Sequence, residues 1–77
     1  MRDPSAHLAA FARTLRRLRR ERDLSQEALA HRSNVSAKHI GEIERAKKEP
    51  GITTAMKLID GLELPLSEFF HQVDERR

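Results

Sequence analysis

The chain has 77 residues, with 15 Lys and Arg against 12 Asp and Glu, and no cysteine. A single domain of this size has a core worth only roughly 3–5 kcal/mol, and the missing thiols exclude a disulfide framework or a thiolate metal site, as fits a cytoplasmic protein. No apolar run approaches the roughly 20 residues of a membrane span, and no basic-then-apolar leader is expected at the N-terminus.

The charge is uneven. Residues 1–50 carry 12 Lys and Arg and 7 Asp and Glu, a balance of +5, whereas residues 51–77 carry 3 and 5, a balance of −2. A basic first part points to a polyanion partner, with the acidic part turned away from it. A solvated helix face is the plainer account of the arginines.

Asp3-Pro4-Ser5 is expected to open the first helix, with Asp as cap and Pro at the first helical position, where its ring angle is preset and no hydrogen bond is lost. Leu8, Phe11, Ala12, Leu15 and Leu18 then recur at helical spacing, with Arg13, Arg16, Arg17, Arg20 and Arg22 largely off that stripe. Asp23 closes the helix near residue 22.

The next stretch, Gln26 to Ile43, predicts two short helices and a tight turn. Ser25 caps the first through its hydroxyl, and Leu29 and Ala30 give it an inward side. Asn34 sits where the chain reverses, because asparagine tolerates the left-handed conformation. Val35 plugs the corner. Ser36 caps the second helix, whose Ile40 and Ile43 form its apolar stripe. Neither cap has Glu or Gln three residues on, so full capping boxes are absent. Two helices joined this way form a helix-turn-helix unit. The competing reading is an ordinary helical hairpin in a small bundle.

Pro50-Gly51 marks a loop. A fourth helix is expected from Thr53 or Thr54, with Gly61 in its last turn. Glu63-Leu64-Pro65 is a short connection. A fifth helix carries Leu66, Phe69, Phe70 and Val73, and Asp74–Arg77, like the first few residues, is expected to fray. The class is all-α, with five helices in one domain over residues 1–77.

On the fourth helix Ala55, Met56, Leu58, Ile59 and Leu62 spread over roughly 160°, wider than one core stripe requires. That surplus predicts a homodimer through the fourth and fifth helices, with Leu58, Leu64 and Phe70 as contributors.

Catalytic and metal chemistry find no support. His7, His31, His39 and His71 include no pair at metal-ligand spacing with a supporting carboxylate. No Gly-rich phosphate loop, nucleophile set, cofactor motif or small-molecule site is evident. The three phenylalanines all lie on apolar stripes, so duplex DNA is a better target than single strands, which need exposed aromatics to stack on. In the third helix Ala37 and Lys38 occupy the first turn. Lys38 and Glu42 share an outward face, where Lys suits guanine acceptors and Glu the amine of cytosine. A plain surface ion pair between them is the competing account. Lys47 and Lys48, in a loop, can reach phosphates but carry no sequence information.

The stretch LRRLRRERDLSQEALAHRSNVSAKHIGEIERAKKEP, continued by MKLIDGLELPLSEFF, resembles the Xre, or lambda-repressor-like, helix-turn-helix regulators. The likeness is carried by Leu18-Arg19, Leu24-Ser25-Gln26-Glu27, Leu29-Ala30, Val35-Ser36, Ile40, Ile43-Glu44 and Pro50, and covers about residues 8–73. The small controller proteins of restriction–modification systems are similar in size. The resemblance implies a cytoplasmic bacterial or phage transcription regulator, dimeric on a two-fold symmetric operator, with its third helix, about residues 36–45, in the major groove. It implies base contacts from Gln26, Ala37, Lys38, His39 and Glu42. Backbone contacts fall to Arg19, Ser25, Arg45, Lys47 and Lys48, and Arg19 is implied to pair with Glu44. Two positions depart from the pattern, with Ala46 and Asp23 where glycine is usual. Because alanine disfavours positive φ, the third helix is expected to run on or its loop to differ. An antitoxin with the same DNA contacts, or a protein-interaction module without DNA binding, would share these features.

Overall fold

A computed structural model describes residues 4–75, with side chains described for 5–73. Among them are five helices and no strand: α1 (Pro4–Glu21), α2 (Gln26–Ser33), α3 (Ala37–Glu44), α4 (Ile52–Gly61) and α5 (Leu66–Glu75). The expected Asp3 cap, fraying of the first residues and the end of the tail at Arg76-Arg77 lie outside the described residues.

The short helices are fixed by their ends. The Ser25 hydroxyl accepts from the Ala28 N–H at 2.9 Å, and the Ser36 hydroxyl from the His39 N–H at 3.0 Å. Each thereby satisfies one of the donors a helix start leaves orphaned. Asn34 is left-handed, at φ 60°. α4 starts one or two residues before the threonines expected to open it. Gly51 is its N-cap and makes no side-chain bond. The Glu63-Leu64-Pro65 joint is as expected, but α5 continues through Asp74 and Glu75 instead of fraying there.

α3 stops at Glu44 and does not run on. The Ala46 N–H donates to the Ile43 carbonyl and the Lys47 N–H to the Glu42 carbonyl, at 2.9 and 2.8 Å. This is the Schellman ending that glycine usually makes, formed here by alanine at φ 58°. The left-handed conformation costs a residue with a Cβ about 1–2 kcal/mol, and the two carbonyls satisfied at the helix end offset it. Asp23 and Glu63 end α1 and α4 in the same way, at φ 56° and 61°.

The core joins all five helices. Leu15 and Leu18 of α1, Leu29 of α2, Ile40 and Ile43 of α3, Leu58, Ile59 and Leu62 of α4 and Phe69 of α5 are all buried, with Val35 at the turn. α2 packs against both α3 and α4, while α1 spans α3 and α5. Phe11 and Phe69 meet with ring centroids 5.1 Å apart. Arg17 donates to Glu21 at 2.9 Å and to Gln72 of α5 at 2.7 Å, a tie between the ends of the fold. Gly61 allows α4 to lie close on α2: a Cβ there would sit 3.2 Å from Ser33 Cβ and 3.1 Å from Leu29 Cδ1.

Leu58 does not contribute to a free surface. It is 0% exposed, because α4 is covered on two sides, by α2 and α5, and the wide apolar arc is largely consumed by this monomer. Leu64 is half-buried against the core. The apolar surface left open lies elsewhere on the same two helices: Ile52 is 80% exposed, Met56 46%, Leu66 39% and Phe70 47%.

Candidate nucleic-acid interface

α3 is held by its inner face. Ile40 and Ile43 are fully buried, and Glu44, one residue on, carries its carboxylate into the same interior. Arg19 reaches it from α1, with Nε and Nη2 donating to the two carboxylate oxygens at 2.7 and 2.9 Å. Such a bidentate pair is planar and direction-specific, so it fixes the orientation of α3 on α1 as well as its position. The third arm of the guanidinium, Nη1, donates to the Leu24 carbonyl at 2.7 Å, and Gln26 Nε2 donates to Glu44 Oε1 at 3.1 Å. The hydrogen bond to Glu44 holds the Arg19 pKa above its ordinary value, against the downward pull of burial.

This geometry gives Arg19, expected also at a phosphate, its main contacts inside the fold. Three of its five N–H groups are engaged within the fold and the residue is 8% exposed. Its place is structural. Gln26 is half-buried, with one amide N–H committed to Glu44 and its Oε1 uncommitted.

The outer face of α3 is a separate surface. At 100° per residue, Lys38, Glu42 and Arg45 fall on one stripe at i, i+4 and i+7. Lys38 and Arg45 are exposed and Glu42 is half-exposed. No ion pair joins Lys38 to Glu42 among the described residues, so the plain surface pair is not formed. Ala37 flanks the stripe, half-buried. His39 does not project with it: Nε2 is shielded from solvent and without a hydrogen-bond partner, since His39 lies on the flank one turn before Ile43. Ser25 is exposed at the start of α2, and Lys47 and Lys48 are exposed beyond α3.

Three features were missed by sequence reasoning. Arg22 donates from Nε to the Leu62 carbonyl at 2.8 Å, capping the end of α4. Arg17 bridges to α5. Gly41 lies under the side chains of Arg45 and Gln26. A glycine inside a strongly amphipathic helix was the available signal for the last; nothing local distinguishes Arg17 or Arg22 from their neighbours.

A short helix clamped from behind by a buried ion pair, with a free charged stripe in front and a capped helix beside it, is the architecture of a helix-turn-helix DNA-binding domain. The family model described as Helix-turn-helix matches residues 15–69, and the chain belongs to that family. It is 39% identical over 64 residues to the HTH-type transcriptional regulator SutR of Escherichia coli, covering 82% of this chain and 36% of that protein. The chain therefore spans about a third of that relative's length. It is 34% identical over 59 residues to the uncharacterized HTH-type transcriptional regulator y4dJ of Sinorhizobium fredii, covering 77% of each. These relatives are transcriptional regulators and not enzymes. Among solved structures, the restriction–modification controller protein C.Esp1396I, as a tetramer on its natural 35 base-pair operator, superposes with a TM-score of 0.87 at 28% identity, covering 90% of this chain and 91% of that one. The controller C.AhdI of Aeromonas hydrophila gives 0.78 at 33% identity, over 82% and 96%. Among the described residues, no helix is long and apolar enough to cross a membrane.

Proposed function

We propose that this protein is a cytoplasmic, sequence-specific regulator of transcription that binds duplex DNA as a symmetric dimer, with α3 in the major groove of each half-site. The observation that carries the reading is the unpaired stripe of Lys38, Glu42 and Arg45 on a helix whose opposite face is locked. Charged side chains without protein partners, held on a rigid mount, are what base edges require. Lys38 and Glu42 read bases, with Ala37 making close apolar contact. Ser25, Lys47 and Lys48 hold the backbone. The basic balance of the first 50 residues supports the polyanion partner, and the operator-bound controller protein supports the mode of binding.

Dimerisation rests on the open apolar strip. Ile52 and Met56 lie one turn apart on α4, and Leu66 and Phe70 one turn apart on α5, at the same side of the domain. Exposed apolar groups this close together mark an association surface. Two copies joined there place their α3 helices about 34 Å apart, and half-sites roughly 10 bp apart or a multiple of it. Selection of bound duplexes from a random pool tests both parts. A two-fold symmetric motif with that spacing is the expected result. Retention of all duplexes alike would overturn sequence-specific recognition, and sedimentation of only monomer at micromolar concentration would overturn the dimer.

A further inference from the structure

Gly41 lies in the middle of α3, where a glycine weakens a helix, and its φ is not positive. Its backbone needs no glycine, so the reason is spatial. A Cβ built there would meet Arg45 Nη1 at 3.1 Å, Gln26 Oε1 at 3.4 Å and Gln26 Nε2 at 3.6 Å. The Arg45 guanidinium thus does not reach outward from the loop. It folds back one turn along α3 and lies over Gly41, against the Gln26 amide. Gln26 is itself pinned, through Nε2, to the Glu44 carboxylate that Arg19 holds. Among the described residues Arg45 makes no side-chain hydrogen bond or ion pair, and by its place in the chain it shares the stripe of Lys38 and Glu42.

We propose that Arg45 reads a guanine and does not merely hold a phosphate, and that Gly41 is the positioning residue that seats its fork beside Gln26. The planar guanidinium matches the O6 and N7 acceptors of guanine in a way that a point charge does not. A fork folded back onto the recognition helix is better placed for a base edge than one extended from a loop. The chain Arg19–Glu44–Gln26 then links the buried ion pair to the seat, so the same contacts that mount α3 hold one of its reading groups. This rests on the proposed DNA binding by α3 and adds to it a residue and a base.

Two variants test it. In Gly41→Ala the methyl group meets only the far ends of flexible side chains, so the helix gains propensity and the melting temperature should hold or rise. The selected motif, however, should lose its preference for one guanine per half-site. Affinity for the best duplex should fall roughly 10- to 100-fold, with random-sequence affinity little changed. Arg45→Lys keeps the charge at an exposed position but not the planar fork, and should weaken the preference for the same guanine, with the salt dependence preserved. If both variants retain the full motif and the guanine preference, Arg45 is a backbone contact and the inference is wrong. If the native protein selects no motif at all, the failure belongs to the reading of DNA recognition instead.

Discussion

The α2–α3 half and the α4–α5 half of this domain are finished differently. In the first, every large apolar side chain is buried or half-buried, both helices are capped by serine hydroxyls, and what remains outside is polar or charged. In the second, α4 has no side-chain cap and four large apolar side chains stand open. One half is complete as a folded object and lacks only an anionic surface to meet. The other has more apolar area than one copy can bury. The two halves thus leave different surfaces open, polar and charged on one and apolar on the other.

The contrast breaks most sharply at Glu44. Removing its carboxylate leaves the Arg19 guanidinium buried without its counter-charge, which typically costs roughly 3–5 kcal/mol. Glu44→Ala should therefore lower the melting temperature by many degrees, and chemical denaturation would measure the loss; an unchanged midpoint would mean that the pair does not hold α3. A milder change sharpens the outer face. Lys38→Ala should cost about 1–3 kcal/mol on the best operator and relax one base pair per half-site, while Lys48→Ala should weaken all duplexes alike and reduce the salt slope by about one. Titrations at several salt concentrations on operator and random DNA separate the two. Equal loss on both DNAs for Lys38→Ala would make it a backbone contact.

The other half is tested by charge. Ile52→Glu alters a residue that is 80% exposed, so monomer stability should change by no more than about 0.5 kcal/mol. The dimer dissociation constant should rise at least tenfold, as equilibrium sedimentation would reveal; unchanged association would move the interface off α4. The smallest effect belongs to the joint between the halves. Ala46→Gly relieves the left-handed strain of about 1–2 kcal/mol but frees the unfolded chain by about 0.4–1 kcal/mol. A net stabilisation of roughly 0.5–1 kcal/mol is expected by denaturant titration.

Much of this architecture was legible in the residues. Ser25, Asn34 and Ser36 announce the two short helices because capping and left-handed turns are local chemistry, decided within a few residues. Leu58 was misjudged because a helical wheel gives the width of an apolar arc and not the number of neighbours that cover it. Arg19 was assigned both to a phosphate and to Glu44, and only the geometry shows how far the second role, with the Leu24 carbonyl, occupies the guanidinium. His39 came to the base contacts through the resemblance, whereas on the helical wheel it lies only about 40° from Ile43 and so at the edge of the core stripe. The seat over Gly41 depends on side chains from two helices and on the loop after α3, which no single stretch encodes.

The contacts between Phe11 and Phe69 and between Arg17 and Gln72 bring the first helix against the last. The bond between Arg17 and Gln72 spans 55 residues of chain. The remainder of the fold mixes consecutive pairings, α2 on α3 and α4 on α5, with pairings across one helix, α2 on α4 and α1 on α3. Joining the ends closes the longest loop in the fold and so carries the largest loop-closure entropy. A brief detachment of α5 would uncover Phe69 together with Phe70 and leave α2 and α3 in place. Because Leu66 and Phe70 of the open apolar strip lie on α5, a second copy bound across that strip would hold α5 in place and slow such a detachment.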